Sequence, residues 1–178
     1  MNILAVHGGT HLNGNTATLM EAWCKGALDK GHTVKRLDVA SMEINPCVAC
    51  DYCRPEGRGS GLCVKKDEMP YDDIKHAQAL VLASPVFWWG FTAQLKAFID
   101  RIYALPFNVW RGKKVKIILT SDYPIPNMGG QTQHAIWGHM ASYLKYEFLG
   151  VLEASSREQK IAQQTDLLQR AYLEGYSL

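Results

Sequence analysis

Apolar positions along the chain fall into short continuous runs separated by stretches with helical spacing. Ile3-Leu4-Ala5-Val6 is one such run and stops at Gly8-Gly9, the pattern of a buried strand. A polar loop follows from His7 to Thr16. Leu19, Met20, Trp23 and Ala27 then recur at helical spacing, and Gly31 stands where a glycine closes a helix. Val34 to Val39 predicts a second strand, and Ala79-Leu80-Val81-Leu82-Ala83 a third. Leu95, Phe98, Ile99 and Ile102 repeat at i, i+3, i+4 and i+7, an amphipathic helix with Thr92 as its N-cap. Val115 to Leu119 predicts a fourth strand, Ile136 to Leu144 a helix, and Glu147 to Leu152 a fifth strand. Ser156-Arg157-Glu158-Gln159 has the capping-box pattern, which places the start of a last helix there, with Ile161, Leu168 and Tyr172 facing inward. Residues 41–69 break the rhythm: they hold four cysteines, and Gly57, Gly59 and Gly61 mark loop.

Strands alternating with helices imply a parallel sheet covered on both faces. The predicted fold class is α/β, a three-layer sandwich with a five-stranded parallel sheet in the flavodoxin-like order 2-1-3-4-5. Residues 1–178 make one domain, with a cysteine-rich loop insertion at about 41–69. Ligands in such sheets bind beyond the carboxyl ends of the strands, where the strand order reverses. That singles out the loops His7–Thr16, Ser84–Gly90 and Thr120–Gly130.

The first loop leads a strand into a helix N-terminus, where free N–H groups favour an anion. Gly9, Thr10, His11, Asn13, Asn15 and Thr16 are its candidate phosphate contacts. No lysine follows its glycines, so it is not a Walker A loop. A phosphate cradle and a plain capped turn are both open readings. The second loop, Ser84-Pro85-Val86-Phe87-Trp88-Trp89-Gly90, brings aromatics to the same edge, as a wall for a planar ring or as a core or dimer patch. The third runs from Thr120 and Ser121 through Tyr123 to Gly129, and is long enough for its backbone to reach a ring edge. A phosphate cradle beside an aromatic wall fits FMN better than ATP.

Composition narrows the classes. Hydrophobic residues are 47% and charged residues 20%, ordinary for a globular chain. A net charge of +2 gives no basic footprint for nucleic acid. It also argues against an electron-carrier flavodoxin, which is typically strongly acidic. No apolar run approaches a membrane span, and the N-terminus lacks the pattern of a signal peptide, so a reducing, cytoplasmic setting is expected. In that setting clustered thiols point to metal or redox chemistry. Cys47, Cys50 and Cys53 have C-x2-C-x2-C spacing, with Cys63 after nine more residues. Three readings stand: a [4Fe–4S] cluster, a zinc site with four thiolate ligands, or thiols that pack an interface or face substrate. Cys24, on the first helix, is expected to be buried.

Asn13-Gly14-Asn15-Thr16, Pro46-Cys47 with Cys50 and Cys53, Cys63-Val64 with Asp67-Glu68-Met69, Ser84 to Trp88, and Leu95-Lys96 with Phe98-Ile99-Asp100-Arg101 resemble the flavodoxin-like NAD(P)H-dependent FMN reductases, a group that includes iron–sulfur flavoproteins. The resemblance implies a cytoplasmic flavoprotein, a homodimer or homotetramer, that passes electrons from NAD(P)H through FMN to a small-molecule acceptor. It implies that the first loop holds the FMN phosphate and that the segment from Ser84 lines the ribityl chain and ring. Family members often have a serine and an arginine at the positions matching Gly9 and His11. Their loss predicts weaker FMN binding, with affinity rising as His11 protonates. The spacing to Cys63 is longer than is usual in iron–sulfur flavoproteins.

Overall fold

The five apolar runs become five strands: β1 (Asn2–His7), β2 (Thr33–Asp38), β3 (Ala79–Pro85), β4 (Lys114–Ser121) and β5 (Glu147–Ser155). All are parallel, in the order β2-β1-β3-β4-β5 that the pattern predicts. The structure is a computed structural model that describes residues 1–54 and 63–178, so the loop glycines Gly57, Gly59 and Gly61 lie outside the described residues. The helices are α1 (Asn15–Asp29), α2 (Tyr71–His76), α3 (Ala93–Arg101), α4 (Met128–Leu144) and α5 (Thr165–Tyr176).

Alternate strand residues feed two separate cores, as the period of two requires. Leu4, Val6, Leu80, Leu82, Ile117 and Leu119 pack with Ile74, Leu95, Phe98 and Trp137 from α2, α3 and α4. Ile3, Ala5, Val81, Ala83 and Ile118 pack with Leu19, Met20 and Trp23 of α1 and Ala171 of α5. Cys24 lies in this second core, and burial pushes its thiol up to about 12. Helices α1 and α5 touch backbone to backbone. A Cβ on Gly26 would stand 1.9 Å from the Tyr172 carbonyl oxygen, and one on Gly175 would stand 1.9 Å from that of Trp23.

Two helix starts differ from expectation. α4 begins at Met128, inside the predicted third loop, because Asn127 caps it by accepting from the Gly129 N–H at 2.9 Å and the Gly130 N–H at 3.3 Å. The two glycines serve close approach rather than a turn. A Cβ on Gly129 would meet Val86 at 2.9 Å, and one on Gly130 would fall on the Glu153 carboxyl. α5 begins at Thr165, not at the capping-box pattern of Ser156 to Gln159. Ser156 instead continues the strand pairing, its N–H donating to the Ser121 carbonyl at 2.7 Å. The inner face that follows is Ile161, Ala171 and Gly175; Leu168 and Tyr172 are only half-buried. The expected α3 cap is present: the Thr92 hydroxyl accepts from the Leu95 N–H.

Candidate functional site: a cleft at the strand ends and a cysteine pocket

The carboxyl ends of β1, β3 and β4 enclose a cleft of about 430 Å³. Its walls are Gly9, Thr10, His11, Gly14, Asn15 and Thr16 from the first loop, Pro85, Val86 and Phe87 from the second, Thr120, Ser121 and Asp122 from the third, and also His7 and Ser156. The fold brings all three predicted loops together here. Of the predicted contacts, Asn13, Ser84, Trp88, Tyr123 and Gly129 do not line this cleft. Asn13 is exposed on the rim loop. Ser84 is fully buried, and its hydroxyl donates to the Pro85 carbonyl and accepts from the Thr92 N–H.

The floor of the cleft suits an anion. Gly14 is the N-cap of α1 and supplies no side-chain acceptor, and the first turn carries no acidic residue. The leading N–H groups of a 15-residue helix therefore face the cleft without a side-chain partner. The loop itself is pinned from below. The Gly8 N–H donates to Ala83 O at 2.8 Å, and Gly8 O accepts from the Thr92 hydroxyl at 2.7 Å. The Thr16 and Thr120 hydroxyls share a buried hydrogen bond of 2.6 Å, tying the first loop to the third. Asn15 Oδ1 accepts from the Ile161 N–H at 3.3 Å, so its amide is committed to packing.

The second loop closes as a two-residue turn, Phe87 and Gly90 exchanging both backbone hydrogen bonds at 3.0 Å. Trp88 and Trp89 occupy its centre with φ of 49° and 60°. Left-handed backbone at two bulky residues costs roughly 1–2 kcal/mol each, where Asn-Gly would cost little. The outcome is a tryptophan at 91% exposure, edge-on to its neighbour, standing beside the cleft.

Sequence reasoning missed His7, Asp122 and Ser156. His7 is the notable one: it ends β1, it is 1% exposed, and its Nδ1 lies 3.0 Å from Asp38 Oδ1. A polar residue closing an otherwise apolar strand was the available signal. Burial lowers its proton affinity, outweighing the hydrogen bond and charge of Asp38 that raise it.

The cysteine segment forms a second site. Cys47, Cys50, Cys53 and Cys63 all line one small space of about 30 Å³, with Arg101 and Tyr103 beside them. Cys47 and Cys50 are exposed, and burial raises the Cys53 thiol above its ordinary value. Among the described residues no three His, Cys, Asp or Glu side chains converge closely enough for a single metal ion, which is the arrangement a zinc site needs. The donor set itself, four thiols lining one space, is of the kind that iron–sulfur clusters use. The segment is held to the domain by charge. Arg101 donates to Asp67 at 2.6 and 3.0 Å and to Asn45 O at 2.7 Å, with the paired side chains 1% and 3% exposed. Asp67 therefore anchors the loop, and Arg101 holds it there. Burial pushes the Asp67 carboxyl up, but hydrogen bonds from Arg101 and from the Asn45 and Met69 amides outweigh it and hold the group below the usual range. Arg54 is stacked 3.8 Å from the Tyr103 ring centre and 4.5 Å from that of Phe107.

Lys113 precedes β4 as a buried charge rather than a solvated one. It is buried, and its ammonium donates to the carbonyls of Lys75 and Ala77. Among the described residues no helix is long and apolar enough to cross a membrane.

Comparison with known proteins agrees with this geometry. An iron–sulfur flavoprotein of Archaeoglobus fulgidus is 33% identical over 112 residues, covering 61% of this chain and 47% of the relative. An iron–sulfur flavoprotein of Methanocaldococcus jannaschii is 31% identical over 105 residues, covering 57% and 51%. The chain thus matches about half the length of these curated relatives. The NAD(P)H:quinone oxidoreductase of Methanothermobacter marburgensis shares the fold, with a TM-score of 0.76 and 18% identity over 99% of this chain and 96% of that one. The family model described as NADPH-dependent FMN reductase matches residues 1–146, and the chain belongs to that family.

Proposed function

We propose that this chain binds FMN with its phosphate in the cleft and works as an NAD(P)H-dependent flavin oxidoreductase. One observation carries the reading: an uncapped helix N-terminus opens into a switch-point cleft in a chain of the FMN reductase family. The cleft residues fit the group. The N–H groups leading α1 and the hydroxyls of Thr10 and Ser121 would hold the phosphate. Pro85, Val86 and Phe87 would flank the ribityl chain, and Trp88 and Tyr123, both exposed, would meet the ring. Bound FMN supplies the redox chemistry, accepting a hydride equivalent and passing electrons onward. The protein positions the ring and leaves its open side to a nicotinamide or a small flat acceptor in turn. Exposed Trp88, Trp89 and Met128 around the site favour a homodimer or homotetramer.

The test is the absorption spectrum of protein purified without oxygen, followed by addition of NADH or NADPH. The two-band flavin spectrum, bleached by the nicotinamide without any partner protein, is expected. A colourless protein that takes up no added FMN contradicts the reading.

A second reading adds a [4Fe–4S] cluster on Cys47, Cys50, Cys53 and Cys63, making the protein an electron relay. The shared space between the four thiols and the iron–sulfur relatives support it. Iron and zinc assays on the same anaerobic sample separate the two: no iron removes the relay. If neither flavin nor iron is present, a thiol- or metal-sensing role for the cysteine segment takes over.

A further inference from the structure

His7 and Gly9 are a matched pair. A Cβ built on Gly9 would stand 2.7 Å from His7 Nε2 and 3.0 Å from Cε1. On this backbone any side chain at position 9 would force the His7 ring to shift, so the glycine leaves the ring nitrogen its place beside the loop.

The ring is oriented from behind. Asp38 accepts through its carboxylate, so Nδ1 carries the hydrogen and Nε2 is left as the lone pair on the loop side. Among the described residues nothing bonds to Nε2. Asp38 is fixed by Arg36, whose Nε lies 3.1 Å from both carboxylate oxygens. Arg36 also donates to Glu21 and to Leu12 O. The charged groups acting on His7 are therefore Asp38, Arg36 and Glu21, with His11 and Asp122 on the walls of the same cleft. Arg36 is committed to two carboxylates, and among the described residues no lysine or arginine lines the cleft.

We propose that His7 is a proton-carrying phosphate ligand: a phosphomonoester dianion enters together with one solvent proton, which goes to His7 Nε2. The imidazolium then donates one N–H to a phosphate oxygen and the other to Asp38. This rests on the FMN reading above. The free ring is neutral at neutral pH because burial disfavours its charge, and FMN phosphate is a dianion well above pH ~6. Above both of those values, and below the pH at which the imidazolium of the complex gives up its proton, binding takes up a proton and affinity falls toward about tenfold per pH unit as pH rises.

The experiment measures FMN dissociation constants by flavin fluorescence between roughly pH 7 and pH 8.5, with riboflavin as the phosphate-free control and inorganic phosphate as competitor. Wild-type FMN affinity is expected to fall at least about fivefold over this range, and riboflavin affinity less than about twofold. His7→Gln should flatten the FMN profile while binding riboflavin as before, which also shows that it folds. His139→Ala, at an exposed histidine outside the cleft, should keep the slope. Inorganic phosphate should compete more strongly at the lower pH. Calorimetry of the wild type in buffers of different ionisation enthalpy should register proton uptake, and it needs no variant. FMN binding with a flat profile and no uptake overturns the role of His7 and leaves the flavin reading standing. A slope that survives in His7→Gln also overturns it. A wild type that binds neither flavin overturns both.

Discussion

The cleft and the cysteine segment each follow from the carboxyl end of a strand, yet they are held in different ways. The cleft loop is fixed by backbone: Gly8 is bonded to Ala83 on one side and to the Thr92 cap on the other, and Thr16 is tied to Thr120. Its shape depends on elements that also build the core. The cysteine segment has little regular structure among its described residues and hangs on side chains, chiefly Arg101 to Asp67 and Arg54 between two aromatic rings. A cofactor in the cleft meets a preformed site. One among the cysteines meets a loop that it would itself help to organise.

Removing an anchor should show the largest effect. Arg101→Met leaves Asp67 buried without its partner and should cost about 3–5 kcal/mol in urea unfolding. Pairing it with Asp67→Leu should recover most of that loss. The wild-type pair is also pH-dependent. Asp67 is held below its unfolded value, so its contribution is full above pH ~4 and is lost as pH falls through the depressed native value. An acid unfolding curve that does not flatten in Asp67→Asn would break this assignment.

In the cleft, Gly9→Ser forces a Cβ against the His7 ring and should cost about 1–3 kcal/mol of stability, FMN affinity, or both. Adding His7→Ser should relieve it, so the pair is expected to be strongly non-additive. Additive losses would mean that the two positions do not compete for one volume. Replacing Trp88-Trp89 by Asn-Gly should stabilise the fold by about 1–2 kcal/mol, the relief at two strained left-handed residues being partly offset by the backbone freedom glycine loses on folding. FMN affinity should fall in the same variant. A gain in stability with unchanged flavin binding would make that turn an interface feature only. The smallest effect is expected from Cys47→Ser, an exposed change within about 0.5 kcal/mol. It should leave FMN affinity intact and remove any iron.

Most of the fold was legible because β1, β3 and β4 carry apolar runs and strands alternate with helices, the pattern of a doubly wound parallel sheet; β2, Thr-Val-Lys-Arg-Leu-Asp, has no such run. The α1 and α3 boundaries were legible for a local reason: Gly31 has φ of 94° and Thr92 caps its helix. The α4 and α5 starts were not. Gly129 and Gly130 look like loop, but the contacts of Val86 and Glu153 decide that place. Ser156 looks like a cap, but strand pairing claims its N–H first. The three loops of the cleft could be named in advance, because topology alone brings them together. His7 could not, because its meaning comes from Asp38 on the neighbouring strand and from the missing side chain of Gly9. The burial of Lys113 was not legible for a similar reason, since carbonyls 36 and 38 residues away accept its hydrogen bonds.

The most direct test of the central claim is amide NMR of the labelled chain during titration with FMN. The account predicts the largest shifts at Gly9 to Ala17 and at His7, with the cysteine segment unmoved by the phosphate end. Shifts centred on Cys47 to Cys53, with the α1 N-terminus unchanged, would contradict it.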